Sequence, residues 1–317
     1  MTRVRARGED VRRFILDHVE KHPHDVSKLA AKHFAITRQA VNKHLQKLTG
    51  EHALAESGNT RNRAYKLVPL SKWDKTYLTG PGITESGVWA TDIRPLLEHL
   101  PENVIDIWHY CFTEMFNNAI DHSSCTAINV VISKTAINAE ILLYDNGIGI
   151  FKKIQTALNL LDERHAVLEL AKGKFTTDPQ SHTGEGIFFS SRMFDKFVIY
   201  SGRVYFSHDF GIDEDWILDG EEHPGTYVKM KLSNHTARTT TKIFDQFTSG
   251  DDYGFNKTIV PVELAQYGDD KLISRSQAKR LLARIELFKI VVFDFSRVDL
   301  VGQAFADEIF RVFANAH

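Results

Sequence analysis

The stretch FTEMFNNAIDHS, residues 112–123, sets Glu114, Asn117, Asn118 and Asp121 inside a sequence that otherwise has the apolar period of a half-buried helix. From Asp106 to His122, Ile107, Cys111, Met115 and Ala119 recur every fourth residue and predict the inward stripe. Glu114, Asn118 and Asp121 lie one position back from it and form a polar ribbon along its edge. A buried carboxylate or amide is costly without a partner. The ribbon therefore predicts one: a metal ion, a phosphate or water. Asn117 lies off this ribbon and reads as solvated helix edge.

Three later segments have chemistry of the same kind. AEILLYDNGIGI is an apolar strand that ends in Asp145, Asn146, Gly147 and Gly149. A carboxylate at a strand end accepts a hydrogen bond from an exocyclic amine, and the glycines let a backbone turn sharply beside a ligand. HTGEGIFFSSRMFD places Gly184 and Gly186 before a helix, where backbone N–H groups favour a phosphate chain. PGTYVKMKL starts a strand at Gly225 and Thr226.

In this order the four segments resemble the GHKL ATPase family, which includes gyrase, MutL and the histidine kinases, over residues 90–235. The resemblance implies ATP and Mg²⁺ as cofactors. Glu114 and Asn118 match the family's ExxxN motif: Asn118 would hold the Mg²⁺ and Glu114 would be the base that activates the attacking water or hydroxyl. Asp145 would bind the adenine amino group, with Thr226 supporting it through water. Gly147 and Gly149 would let the nucleotide approach, Thr183, Gly184 and Gly186 would face the phosphates, and Asp121 would add a further contact. The segment FKKIQTALNLLDERHAVLELAKGKFTTDPQSH would be a lid over the triphosphate that orders on binding, with Lys172 or Lys174 reaching phosphate oxygens and Lys174 the expected contact.

The elements around this module set its use. Residues 1–68 carry twice as many Lys/Arg as Asp/Glu, 14 against 7, whereas the rest of the chain is acidic. Such an asymmetry is expected where one end meets a polyanion. EDVRRFILDHVEKH carries Val11, Phe14, Ile15 and Val19 at helical spacing, and PHDVSKLAAKHF opens a second helix at Asp25. AITRQAVNKHLQKL predicts a third helix capped by Thr37, with Val41, Leu45 and Leu48 inward and Arg38, Gln39, Asn42, Lys43 and Gln46 outward. Outward side chains of these types bond to base edges and phosphates in a major groove. ALAESGNTRNRAYKLV then reads as two short strands turning at Gly58 and Asn59, with Arg61 and Arg63 at the tip. This order resembles the bacterial winged-helix regulators, which implies DNA as a partner, read by Arg38, Gln39, Asn42, Lys43, Arg61 and Arg63, and a homodimer on two half-sites. Residues 69–89 break periodicity with Pro, Gly, Ser and Thr and read as a linker.

After residue 235 the pattern is strand, helix capped by Ser274 and Gln277, buried strand and helix, the alternation of a small α/β domain. VVFDFSRVDLVGQAFADEIF resembles the STAS domains of anti-sigma antagonists, with Ala304 where those carry a phosphorylated serine. That implies a domain over 236–317 able to meet a protein partner. The tail FANAH stops before the last strand and helix of such a domain, so the chain reads as cut short. Cys111 and Cys125 form no CxxC pair and read as buried, reduced thiols. No apolar run approaches membrane-spanning length and the N-terminus has no apolar signal core, so a cytoplasmic protein without membrane contact is expected.

The expected fold class is thus multidomain α+β: a winged helix, a GHKL (Bergerat) α/β sandwich and a small STAS-like α/β domain. The expected function is an ATP-binding transcriptional regulator with slow hydrolysis, in which nucleotide state controls DNA binding. The alternative is an anti-sigma-type serine protein kinase acting on a separate partner. Autophosphorylation on histidine is disfavoured, because His99, in LLEHLPEN, lacks the acidic–basic context of a phosphoacceptor helix.

Overall fold

The computed structural model describes residues 3–59, 62–176, 183–211, 214–248, 254–266 and 271–315. They group into two units, one of residues 1–75, 131–141 and 232–235 and the other of 76–130, 142–231 and 236–317.

In the first unit, α1 (Arg3–His18), α2 (Val26–Phe34) and α3 (Arg38–Gly50) precede a hairpin of β1 (Leu54–Ser57) and β2 (Ala64–Leu67). The core is made where the helical stripes meet: Val11, Ile15, Val19, Val26, Ala30, Val41, Leu45 and Leu48, closed by Leu54 and Tyr65 of the hairpin. Thr37 caps α3 as its sequence predicts, with Oγ1 accepting from the Ala40 N–H at 3.2 Å. Asp25 stands at the start of α2 but makes no side-chain cap.

The rest of the chain includes a five-stranded sheet. The sheet runs β3 (Ser71–Leu78), β4 (Ala127–Lys134), β5 (Asn138–Asp145), β7 (Glu214–Ser233), β6 (Lys196–Asp209) in spatial order. β3 is an edge strand that falls inside residues 69–89, the segment that reads as a linker. Aromatic and β-branched Trp73, Thr76 and Tyr77 favour extended backbone, and Lys72 and Lys75 suit an edge that must not pair further.

Short α4 (Glu85–Val88) and α5 (Arg94–Leu97) lead into α6 (Glu102–His122). α6 starts a turn before the periodic stripe, and its buried face is wider than one row: Val104, Trp108, Phe112 and Phe116 are buried as fully as the predicted four. After β5 come α7 (Ile150–Ala157), α8 (Arg164–Lys172) and α9 (Gly186–Met193). α9 lies on α6, where Trp108 meets Phe194 at 4.7 Å between ring centroids. Cys111 and Cys125 are both free and buried, and desolvation pushes both thiols up, which favours the protonated form.

The chain continues through α10 (Thr240–Asp245), β8 (Lys257–Pro261), α11 (Arg275–Leu282), β9 (Ile290–Asp294) and α12 (Gln303–Asp307). β8 and β9 are parallel, joined across α11, and cover a core that includes Val260, Leu281, Phe305 and Ile309. The predicted capping box forms: Ser274 Oγ accepts from the Gln277 N–H, and Gln277 Oε1 accepts from the Ser274 N–H. β9 was expected to be buried. It is instead half exposed, with Ile290 and Val292 facing solvent, because β8 is its sole partner strand among the described residues. Among the described residues no helix is long and apolar enough to cross a membrane.

Candidate functional site

The site is assembled by the period of β5 and the pitch of α6. Along β5 the buried positions alternate, Ala139, Ile141, Leu143, and the next member of that inward row is Asp145. A carboxylate thus ends an apolar face. Along α6, Glu114 and Asn118 are one turn apart beside the buried stripe, and both reach the same space as Asp145.

That space is a cavity of about 290 Å³, close to the lower end of small-molecule sites. Glu114, Asn118, Asp145, Gly149, Thr183, Gly184, Gly186 and Thr226 all line it, although they come from α6, β5, β7 and the entries to α7 and α9.

Asp145 is held from several sides. One carboxylate oxygen accepts from the Gly147 N–H at 2.9 Å. Burial raises its pKa above the ordinary value of 3.8, while Gly147, Thr226 and Ser123 act in the opposite direction through hydrogen bonds. Thr226, itself buried, accepts from the Ile150 N–H at 3.0 Å and so ties β7 to the start of α7. Asn146 braces the same corner: its Oδ1 accepts from the N–H groups of Thr126 and Ala127.

Gly186 matters for what stands opposite it. A Cβ there would lie 1.9 Å from Glu114 Oε2, so the carboxylate and the first turn of α9 meet only because residue 186 has no side chain. Glu185 next to it is half buried, and desolvation raises its carboxyl pKa.

Three expected contacts are corrected. Gly147 does not line the cavity; a Cβ there would meet the Ser123 carbonyl at 2.2 Å, so this glycine serves the packing of the loop on the end of α6. Asp121 is exposed and also off the wall, since at i+3 from Asn118 it has rotated toward solvent. Lys174 turns away too: its Nζ donates to the Leu287 carbonyl at 3.0 Å and lies over the Phe288 ring. Lys172 is equally unavailable to a ligand, being wholly buried against Glu169.

The cation at the cavity is Lys153 of α7, which sequence reasoning missed. Its Nζ donates to the His122 carbonyl at 2.7 Å, at the negative end of α6. Desolvation lowers its pKa, and Asp121 opposes that, so Asp121 acts on the site through this lysine. A signal was present: in IFKKI a lysine interrupts the inward row Ile150, Phe151, Ile154.

In the first unit Arg38, Gln39, Asn42, Lys43 and Gln46 are all exposed along α3, opposite buried Val41, Leu45 and Leu48. Arg63 is exposed and pairs with Glu56 across the hairpin at 3.0 Å, which offsets its charge. Arg61 lies outside the described residues.

Residues 277–317 match a family described as a STAS-like domain of unknown function (DUF4325). The C-terminal part of the chain is therefore STAS-like, in agreement with the resemblance of VVFDFSRVDLVGQAFADEIF. No curated protein matches the chain.

Proposed function

We propose that the chain is an ATP-binding regulator of transcription, with a GHKL-type nucleotide module behind a winged-helix DNA reader. The observation that carries the reading is the meeting of Glu114, Asn118, Asp145, Gly186 and Thr226 at one cavity, from segments far apart in sequence. Eight of the residues that the resemblance names line this cavity, whereas Gly147, Asp121 and Lys174, also named, and the neighbouring Asn117 do not.

The residues suit a nucleotide. Asp145 offers a buried acceptor to an exocyclic amine, and the absence of a side chain at residue 186 lets the Glu114 carboxylate reach the start of α9. Lys153 offers the positive charge that a phosphate chain needs among two carboxylates. Among the described residues no cluster of His, Cys, Asp or Glu forms a metal site of its own. By the resemblance, Mg²⁺ would have Asn118 as its protein ligand and fill its shell with phosphate oxygens and water. The bound nucleotide would supply a transferable phosphoryl group, its charge offset by the metal. Glu114 would accept the proton of the attacking water.

The basic outer row of α3 supports a DNA partner. Coupling requires that ATP bind one arrangement of the protein better than another. Calorimetric titration with ATP and Mg²⁺ tests the site, and filter binding of selected DNA with and without nucleotide tests the coupling. Glu114→Ala should abolish phosphate release and keep ATP bound. Equal DNA affinity in both conditions sinks the coupling. The competing reading, serine phosphorylation of a separate protein, is favoured by the STAS-like match alone; it predicts a labelled protein from γ-labelled ATP in lysate, where the regulator predicts only slow phosphate release.

A further inference from the structure

α8 takes part in two structures at once. Leu170 lines the cavity, as do Phe175 and Thr176 just beyond the helix. Leu168 and Ala171, on the other side of α8, belong to the apolar core of the C-terminal domain with Val260, Leu281 and Phe305. The segment expected to be a free lid is therefore partly core of its neighbour.

Its end is fastened by polar contacts. Lys172 is buried and its Nζ lies 2.8 Å from Glu169 Oε1. The same ammonium donates to the carbonyls of Arg280 and Ala283, both at 2.8 Å, at the C-terminal end of α11. All three of its protons are then used, and the positive charge meets the negative end of a helix. Arg284 pairs with the other Glu169 oxygen at 2.8 Å and donates to the Lys174 carbonyl. Thr258 of β8 donates to the Lys172 carbonyl at 2.8 Å, and Lys174 Nζ reaches the Leu287 carbonyl. Residues 172–174, which lead directly into the cavity wall, are thus held by β8, α11 and the turn after it. Desolvation lowers the Lys172 pKa and Glu169 raises it, and so charged a group is tolerated there only while every tie is in place.

We propose that the STAS-like C-terminal domain reads the occupancy of the cavity. Ligand contact with Phe175 and Thr176 is carried by the strap 172–174, through the Lys172–Glu169–Arg284 cluster, to β8 and α11. By linkage, whatever binds the C-terminal domain in one of its arrangements alters cavity affinity by the same factor. The ligand assigned to the cavity rests on the nucleotide reading above; the mechanical connection does not.

The test uses the full chain. Hydrogen exchange is followed over 257–261 and 275–287 with and without ATP and Mg²⁺, and binding is measured separately by calorimetry. Nucleotide should slow exchange in both segments by about fivefold or more, the lower bound of ordinary allosteric coupling. Thr258→Val, which keeps the side-chain shape and removes one tie, should leave ATP affinity within about twofold while diminishing the remote protection. Lys172→Met should do the same more severely. ATP bound with no change at either segment overturns the proposal. No ATP binding overturns the nucleotide assignment instead, and the connection is then judged in the ligand-free protein: Phe175→Ala and Thr258→Val should shift the denaturation midpoint non-additively. Strict additivity there overturns it as well.

Discussion

Gly186→Ala isolates the position of Glu114 from its presence. A Cβ at residue 186 would sit 1.9 Å from Glu114 Oε2, where an ordinary contact begins at 3.4 Å, so the oxygen must retreat by about 1.5 Å. The atoms displaced, Oε2 with Cδ at 2.8 Å and Cγ at 3.2 Å, all belong to one flexible side chain, and residue 186 lies in the first turn of α9, where alanine is well tolerated. The fold should therefore survive with a small change in melting temperature. Turnover should not: a misplacement of about 1 Å costs on the order of 100-fold in rate where a group must meet its substrate in line. Steady-state phosphate release beside a thermal melt of the same sample reads both quantities. A drop of about 100-fold in kcat with the melt nearly unchanged is the expected result. Wild-type turnover in a folded Gly186→Ala protein would refute the placement of the base at Glu114. A collapsed melt would refute the view that only a side-chain tip stands in the way.

Asp145→Asn tests the buried carboxyl by pH. Its folded pKa is raised, so the folded chain holds this proton to higher pH than the unfolded chain, and stability from this group falls as pH climbs from about 3.8 through the folded value. The asparagine variant should lose that part of the decline in urea denaturation as pH rises above about 3.8; an unchanged profile contradicts the raised pKa. Thr37→Ala removes the cap of α3 and should cost about 1 kcal/mol in the denaturation of the first unit, readable as a lower urea midpoint. Lys43→Ala, on the exposed row of α3, should weaken DNA binding evenly across sequences and lower the salt-dependence slope by about 0.9. A slope equal to wild type removes Lys43 from the phosphate contacts.

Much of this molecule is legible in local pattern. Val41, Leu45 and Leu48 point inward because helical pitch puts them on one row, and Thr37 and Ser274 cap their helices because their hydroxyls compete well for the first free N–H groups. The inward turn of Asp145 follows from the two-residue period of β5, which continues Ile141 and Leu143. The small α/β ending shows in strand–helix alternation, and the STAS resemblance of VVFDFSRVDLVGQAFADEIF agrees with the family match to 277–317. The segment 71–78 was less readable, since its lysines and lone aromatics suit a linker as well as an edge strand, and only a pairing neighbour decides between them.

What the sequence by itself determined is which residues face inward on α3 and β5 and where α3 and α11 begin, because those depend on periods and caps within a few residues. Tertiary structure decided where the charges ended up. Lysines 153, 172 and 174 look alike in a row of letters, yet one faces the cavity, one is buried in an ion cluster and one lies on a phenylalanine ring. A long flexible cation takes its place from the carboxylates and carbonyls that other segments bring to it: the His122 carbonyl for Lys153, Glu169 and the end of α11 for Lys172, the Leu287 carbonyl for Lys174. For two of these three the partner lies more than a hundred residues further along the chain, and no local period carries that information.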